Sequence, residues 1–136
     1  MGVIEVINIE GTISDIQLRT VDLTSAEILA LNTTQIGLVP AVEGRFILME
    51  WVRYEHDAAT AYATTANLVV RYETSNDTVS EIASDNILDT ASDTDYIVQP
   101  EESYEPAIGE GLELHTSASK TAGTGTMKVT VAYRIL

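Results

Sequence analysis

Four aspartates crowd the stretch SDNILDTASDTDY: Asp85, Asp89, Asp93 and Asp95. Clustered carboxylates supply the hard oxygen ligands that Ca²⁺ takes. The spacing here is not that of an EF-hand loop, and no glycine stands at its turn position. SDTD is also ordinary turn composition, so the run reads as a solvated acidic face and no metal site is expected. The two histidines are the other reactive groups. His56 follows an apolar run and precedes Asp57, and His115 alternates with Glu113 in GLELHTS. A nucleophile needs a base that is itself oriented. No G-x-S-x-G accompanies either histidine, and SASK sits in a polar loop without the companion motifs of a Ser/Lys site. There is no P-loop and no G-x-G-x-x-G, and the GTG of Gly123–Gly125 is hairpin-turn material. Acid pairs for glycoside hydrolysis are available among 21 acidic residues, but the chain has one Trp and one Phe to offer as sugar platforms. Trp51, mid-strand among apolar neighbours, is expected in the core. The expectation is a protein that is not an enzyme, with no catalytic residue and no cofactor.

The charge balance narrows the partners. Seven basic residues against 21 acidic ones give a net charge of −14. Phosphate backbones and anionic membranes are bound through clustered Lys and Arg, so neither nucleic acid nor a membrane is expected as partner. The start, MGVIEVINIEG, lacks the basic and continuously apolar segments of a secretory signal. No apolar run approaches the length of a membrane span. With no cysteine, disulfides and thiolate metal sites are excluded.

These residues must be carried by strands, because period-two alternation dominates the chain. TMKVTVAYRIL sets Met127, Val129, Val131, Tyr133 and Ile135 against Lys128, Thr130 and Arg134. NLVVRYE sets Leu68, Val70 and Tyr72 against Asn67, Arg71 and Glu73, with Val69 the exception. GLELHTS sets Leu112 and Leu114 against Glu113 and His115. RFILMEWVRYEH is apolar on both faces from Phe46 to Trp51, which predicts a central strand or one covered by a partner. VRYE occurs at Val52–Glu55 and again at Val70–Glu73, predicting a Tyr turned inward and an Arg/Glu pair turned outward in each. Turn-rich segments (AVEGR, HDAATAYATTAN, PEESYEPAIGEG, SASKTAGTGT) separate the strands. In TSAEILALNTTQIGLVPA, Thr24 and Glu27 form a capping box before a short helical turn that faces Ile28 and Leu31 inward. QIGLVPA then reads as a strand closed by Pro40.

The N-terminal stretch VIEVINIEGTISDIQL is β-rich but greasy on two faces. Val3, Ile7 and Ile9 share one face, and Ile4 and Val6 the other. Such a segment either crosses the core or docks on another subunit. The expected organisation is a β arm over residues 1–18, with Val3, Ile4, Val6, Ile7 and Ile9 as partner-binding residues, followed by one β-sandwich domain over residues 19–136.

In this order LTSAEILALNTTQIGLVPA, GRFILMEWVRYEH, TAYATTANLVVRYE and the Gly/Thr loop before GTMKVTVAYRIL resemble the small structural proteins of tailed phages. The resemblance covers roughly residues 20–75 and 107–136 and is one of order and texture. It implies an all-β fold: a jelly-roll-like antiparallel β-sandwich with one short helical turn. It implies a capsid decoration, or cement, protein on the outer surface of the virion head. Such a protein works as a homotrimer, binds the major capsid protein and stabilises contacts between capsomers. The alternative is a tail or head-fibre module that recognises a host glycan or receptor through the loops HDAATAYATTAN and SDNILDTASDTDY.

Overall fold

A computed structural model describes Val3–Ile4 and residues 15–136. Among the described residues there are nine strands: β1 (Val3–Ile4), β2 (Ile16–Leu23), β3 (Ile36–Val39), β4 (Ile47–Thr60), β5 (Asn67–Tyr72), β6 (Thr78–Ala83), β7 (Thr94–Val98), β8 (Leu112–Thr116) and β9 (Thr124–Ile135). Helix α1 (Ser25–Ala30) lies between β2 and β3, and a 3-10 turn, Ser84–Asn86, follows β6. One sheet has the order β1-β2-β9-β4-β7 and the other β3-β8-β5-β6. Every pairing is antiparallel. Without β1, the interleaved orders 2-9-4-7 and 3-8-5-6 are those of an eight-stranded jelly roll, in which successive strands alternate between sheets except at the β5–β6 hairpin. The expected all-β jelly-roll sandwich is therefore the fold. The sandwich's own first strand begins at Ile16, within the stretch read as an arm, and β1 pairs Val3 with Gln17 and Ile4 with Ile16.

The strands with clean alternation bury the residues that the alternation selects. Leu68, Val70 and Tyr72 of β5, Leu112 and Leu114 of β8, and Val129 and Val131 of β9 are all fully enclosed. They meet between the sheets and form the core with Ile47, Val52 and Tyr54 of β4 and Val79 of β6. Both VRYE tyrosines, Tyr54 and Tyr72, point inward and are fully buried. Their arginines face outward, to Asp95 and Glu113 on neighbouring strands.

The strand that looked apolar on both faces has a specific device. Met49 stands opposite Tyr133 and Trp51 opposite Ala132, so Glu50 is an extra residue in β4. The bulge changes the phase of the alternation. Ile47 and Met49 face the core before it, and Val52, Tyr54 and His56 face the core after it. Trp51 is consequently not a core residue: it stands on the outer face, partly exposed.

Helix α1 has the expected capping box. The Thr24 side chain accepts from the Glu27 amide at 3.3 Å, and Glu27 Oε1 accepts from the Thr24 amide at 3.0 Å. Ile28 and Leu31 are fully buried and plug one end of the sandwich. β3 ends at Val39, before Pro40, where a close backbone approach demands glycine: a Cβ on Gly111 would lie 2.3 Å from the Val39 carbonyl oxygen. Two strands, β6 and β7, are not marked by the sequence pattern; β7 begins in SDTD, which reads as turn. Each is a sheet edge. β7 buries none of its residues, so it lacks the alternation that marks a strand.

Candidate functional site

The outer face of the five-stranded sheet is the most differentiated surface of the molecule. Cross-strand partners project to the same face, so the register orders this surface into rows. At one end Phe46 and Leu136 exchange two backbone hydrogen bonds of 2.9 Å, and Phe46 bridges to Ile108 on its other side. These three apolar side chains stand side by side and are exposed. The next rows carry Leu48 opposite Arg134, then Leu18 and Trp51 flanking Ala132. Ala132 faces outward yet is fully buried, because its large neighbours close over it. Arg134 pairs with Glu50 at 3.1 Å, which neutralises the charge inside this apolar half.

Farther along, the face turns polar and then acidic. Thr20 and Thr130 share a hydrogen bond of 3.1 Å beside Arg53. Beyond them Asp22, Lys128, Glu55 and Asp95 form one row, with Asp57 and Thr126 past it. Asp22, Glu55, Asp57, Asp93 and Asp95 line a concavity of about 640 Å³, in which Lys128 is the single cation. Arg53 grips Asp95 with two bonds, Nε to Oδ1 at 2.9 Å and a terminal nitrogen to Oδ2 at 2.6 Å. That hydrogen bonding holds the Asp95 carboxyl below the usual carboxylate range. Asp93 accepts from the Ala58 amide at 2.8 Å and so fixes the mouth of the loop before β7. From Phe46 to Asp57 the face runs about 35 Å, taking ~3.3 Å per strand residue.

The aspartates of SDNILDTASDTDY are distributed among separate tasks. Asp85 is exposed in the 3-10 turn, Asp89 pairs with Lys120, Asp93 holds the Ala58 amide and Asp95 holds Arg53. Among the described residues no three of His, Cys, Asp and Glu are grouped to hold a metal ion. The histidines lie on different sheets. His56 belongs to the inward row opposite Met127, is 2% exposed, and places Nδ1 2.9 Å from the Ile87 carbonyl oxygen, to which it donates. His115 sits on the outer face of the other sheet, next to the Arg71–Glu113 pair. Burial, and then the nearby Arg71 charge, push its pKa down. Among the described residues neither histidine meets a Ser or Thr hydroxyl in a nucleophile–base pair.

Of the expected partner-binding residues, Val3 and Ile4 form β1. Val6, Ile7 and Ile9 lie outside the described residues. The exposed row of Phe46, Ile108 and Leu136 was not singled out from sequence. Its one signal was an isolated isoleucine, Ile108, in the turn-rich PEESYEPAIGEG. Lys120 was also missed: SASK reads as a polar loop, yet this lysine is buried. A scan against protein-family models finds none that matches the chain, and a search of curated proteins finds no relative.

Proposed function

We propose that the chain is a virion structural protein of a tailed phage: a capsid decoration protein. In this reading it binds the outer surface of the head as a homotrimer, contacts the major capsid protein and stabilises the junctions between capsomers. The observation that carries the proposal is the division of one sheet face into an apolar half and an acidic half, displayed on a jelly roll. A sheet face with segregated chemistry suits docking against another protein surface better than it suits turnover of a small molecule. The jelly roll is also an architecture that viral capsid domains use, which agrees with the role by analogy only.

A second reading is favoured by the concavity. Its lining includes Asp57, at the β4 end of HDAATAYATTAN, and Asp93 and Asp95, at the β7 end of SDNILDTASDTDY. Those two loops are the edge that a glycan- or receptor-binding module would use. Electron microscopy of virions labelled with antibody against this chain separates the readings. Label spread over the head is expected for decoration. Label confined to the tail tip or to a fibre overturns decoration in favour of receptor binding.

A further inference from the structure

The described chain exposes five large apolar side chains, and three of them, Phe46, Ile108 and Leu136, stand in the row at one end of the outer face. Leu48 and Trp51, partly exposed, extend this row into a patch, and Arg134 inside it pairs with Glu50. The turn at its rim, closed by the Arg45 amide on the Val42 carbonyl at 3.0 Å, carries Glu43 and Arg45. Both are exposed, and neither has an ion-pair partner among the described residues. We infer that this end of the sheet is the surface through which copies of the chain contact one another, with Arg45 of one copy meeting Glu43 of the next.

The charge distribution selects a second copy as the occupant. Two molecules of net charge −14 repel most where acids face one another, and the five carboxylates of the concavity are the densest group on this face. The acidic concavity lies at the opposite end of the same face, about 35 Å away along the strands, several times the ~8 Å screening length of physiological salt. Copies that meet at their apolar ends point their acidic ends away from each other. The turn at the rim offers one positive and one negative side chain, so around a closed ring Glu43 of each copy can meet Arg45 of the next. A basic foreign partner would be drawn to the other end of the face. The inference rests on the homo-oligomer in the proposed function and names the surface that builds it.

Sedimentation velocity on the full chain tests it. The wild type is expected to associate at micromolar concentration. Ile108→Asp, at a position 59% exposed and hence tolerant in the monomer, is expected to weaken association at least about tenfold. Arg45→Glu is expected to weaken it too, and the charge-swapped double variant Glu43→Arg/Arg45→Glu to restore it. A wild type that stays monomeric up to about 100 μM overturns both the homo-oligomer and this inference. An oligomer that Ile108→Asp and Arg45→Glu leave intact overturns the inference alone. Should Ile108→Asp lose its melting transition, Arg45→Glu and its charge swap decide the matter, because both substitutions lie on an exposed turn.

Discussion

The Lys120 ammonium lies 2.5 Å from Asp89 Oδ1, and the lysine side chain has no exposure to solvent. It also donates to the Thr64 carbonyl and, at 2.9 Å, to Ser84 Oγ. One buried cation thus ties together the loop after β4, the 3-10 turn and the loop before β9. Its value is asymmetric, because removing one partner leaves the other charge enclosed. Lys120→Met is expected to cost about 3 kcal/mol, the low end of the buried-pair range because Asp89 retains some exposure. Lys120→Met/Asp89→Leu is expected to recover most of that loss. Urea unfolding of the three proteins checks this, and a double variant no better than the single one would contradict it.

Tyr54 and Tyr72 occupy equivalent positions in the two VRYE segments, but their hydroxyls differ. The Tyr72 hydroxyl donates to the Ile47 carbonyl at 2.6 Å, and burial pushes its pKa up to about 12. The Tyr54 hydroxyl is buried without a partner among the described residues, and burial alone raises its pKa far above the ordinary phenol value. Tyr72→Phe is expected to destabilise by about 1–2 kcal/mol, and Tyr54→Phe to be neutral or slightly stabilising, since a lost hydrogen bond costs and a lost unsatisfied group does not. Thermal melts of the two single variants decide it. Equal losses would show that both hydroxyls are satisfied.

Helix α1 is too short to stand on propensity and depends on its cap and on Ile28. Thr24→Ala is expected to cost about 1 kcal/mol through the freed Glu27 amide. Ile28→Ala is expected to cost about 2–5 kcal/mol by opening a cavity at a fully buried site. Ile28→Asp should prevent folding at 37 °C. Circular dichroism melts would show whether the end plug is this important, and an Ile28→Asp protein with an unchanged midpoint would show that it is not.

The lowered pKa of His115 gives stability a definite pH sign. As pH falls through the ordinary histidine value of 6.5, the unfolded chain takes up a proton that the folded chain resists. This contribution is complete above that value and is lost as pH drops toward the lowered folded pKa. His115→Gln is expected to flatten the decline of the urea midpoint between pH 7 and pH 5 relative to the wild type. Parallel curves would assign the slope to other groups.

How much was readable from sequence varies with the locality of the cause. β5, β8 and β9 announced themselves because each has one buried and one wet face. The α1 cap was legible because its donors and acceptors lie three residues apart. Trp51 was misplaced because the residue that turns it outward, Glu50, looks like any polar strand residue until its partner strand is known. β6 and β7 hid because edge strands need few apolar residues. Lys120 could not be read as buried, because Thr64, Ser84 and Asp89 come to it from 31 to 56 positions away. The outer-face rows depend likewise on register: Phe46, Ile108 and Leu136 are adjacent only once β4 and the loop before β8 lie beside the end of β9.

The bulge at Glu50 makes residue number, rather than residue type, the controlling variable in the longest strand. Ile47 and Met49 are odd-numbered and Val52, Tyr54 and His56 even-numbered, yet all five serve one core. Deleting Glu50 would restore a single parity to β4 and leave its composition almost untouched. The strand would then pair Met49 with Tyr133 and Trp51 with Ala132 without a break, and Ile47, Met49, Val52, Tyr54 and His56 would all keep facing the core. What the deletion would remove is the Glu50 carboxylate that pairs with Arg134 on the outer face. Loss of this one residue should therefore be tolerated by the core, whereas a residue lost elsewhere between Ile47 and His56 would turn one half of the strand inside out.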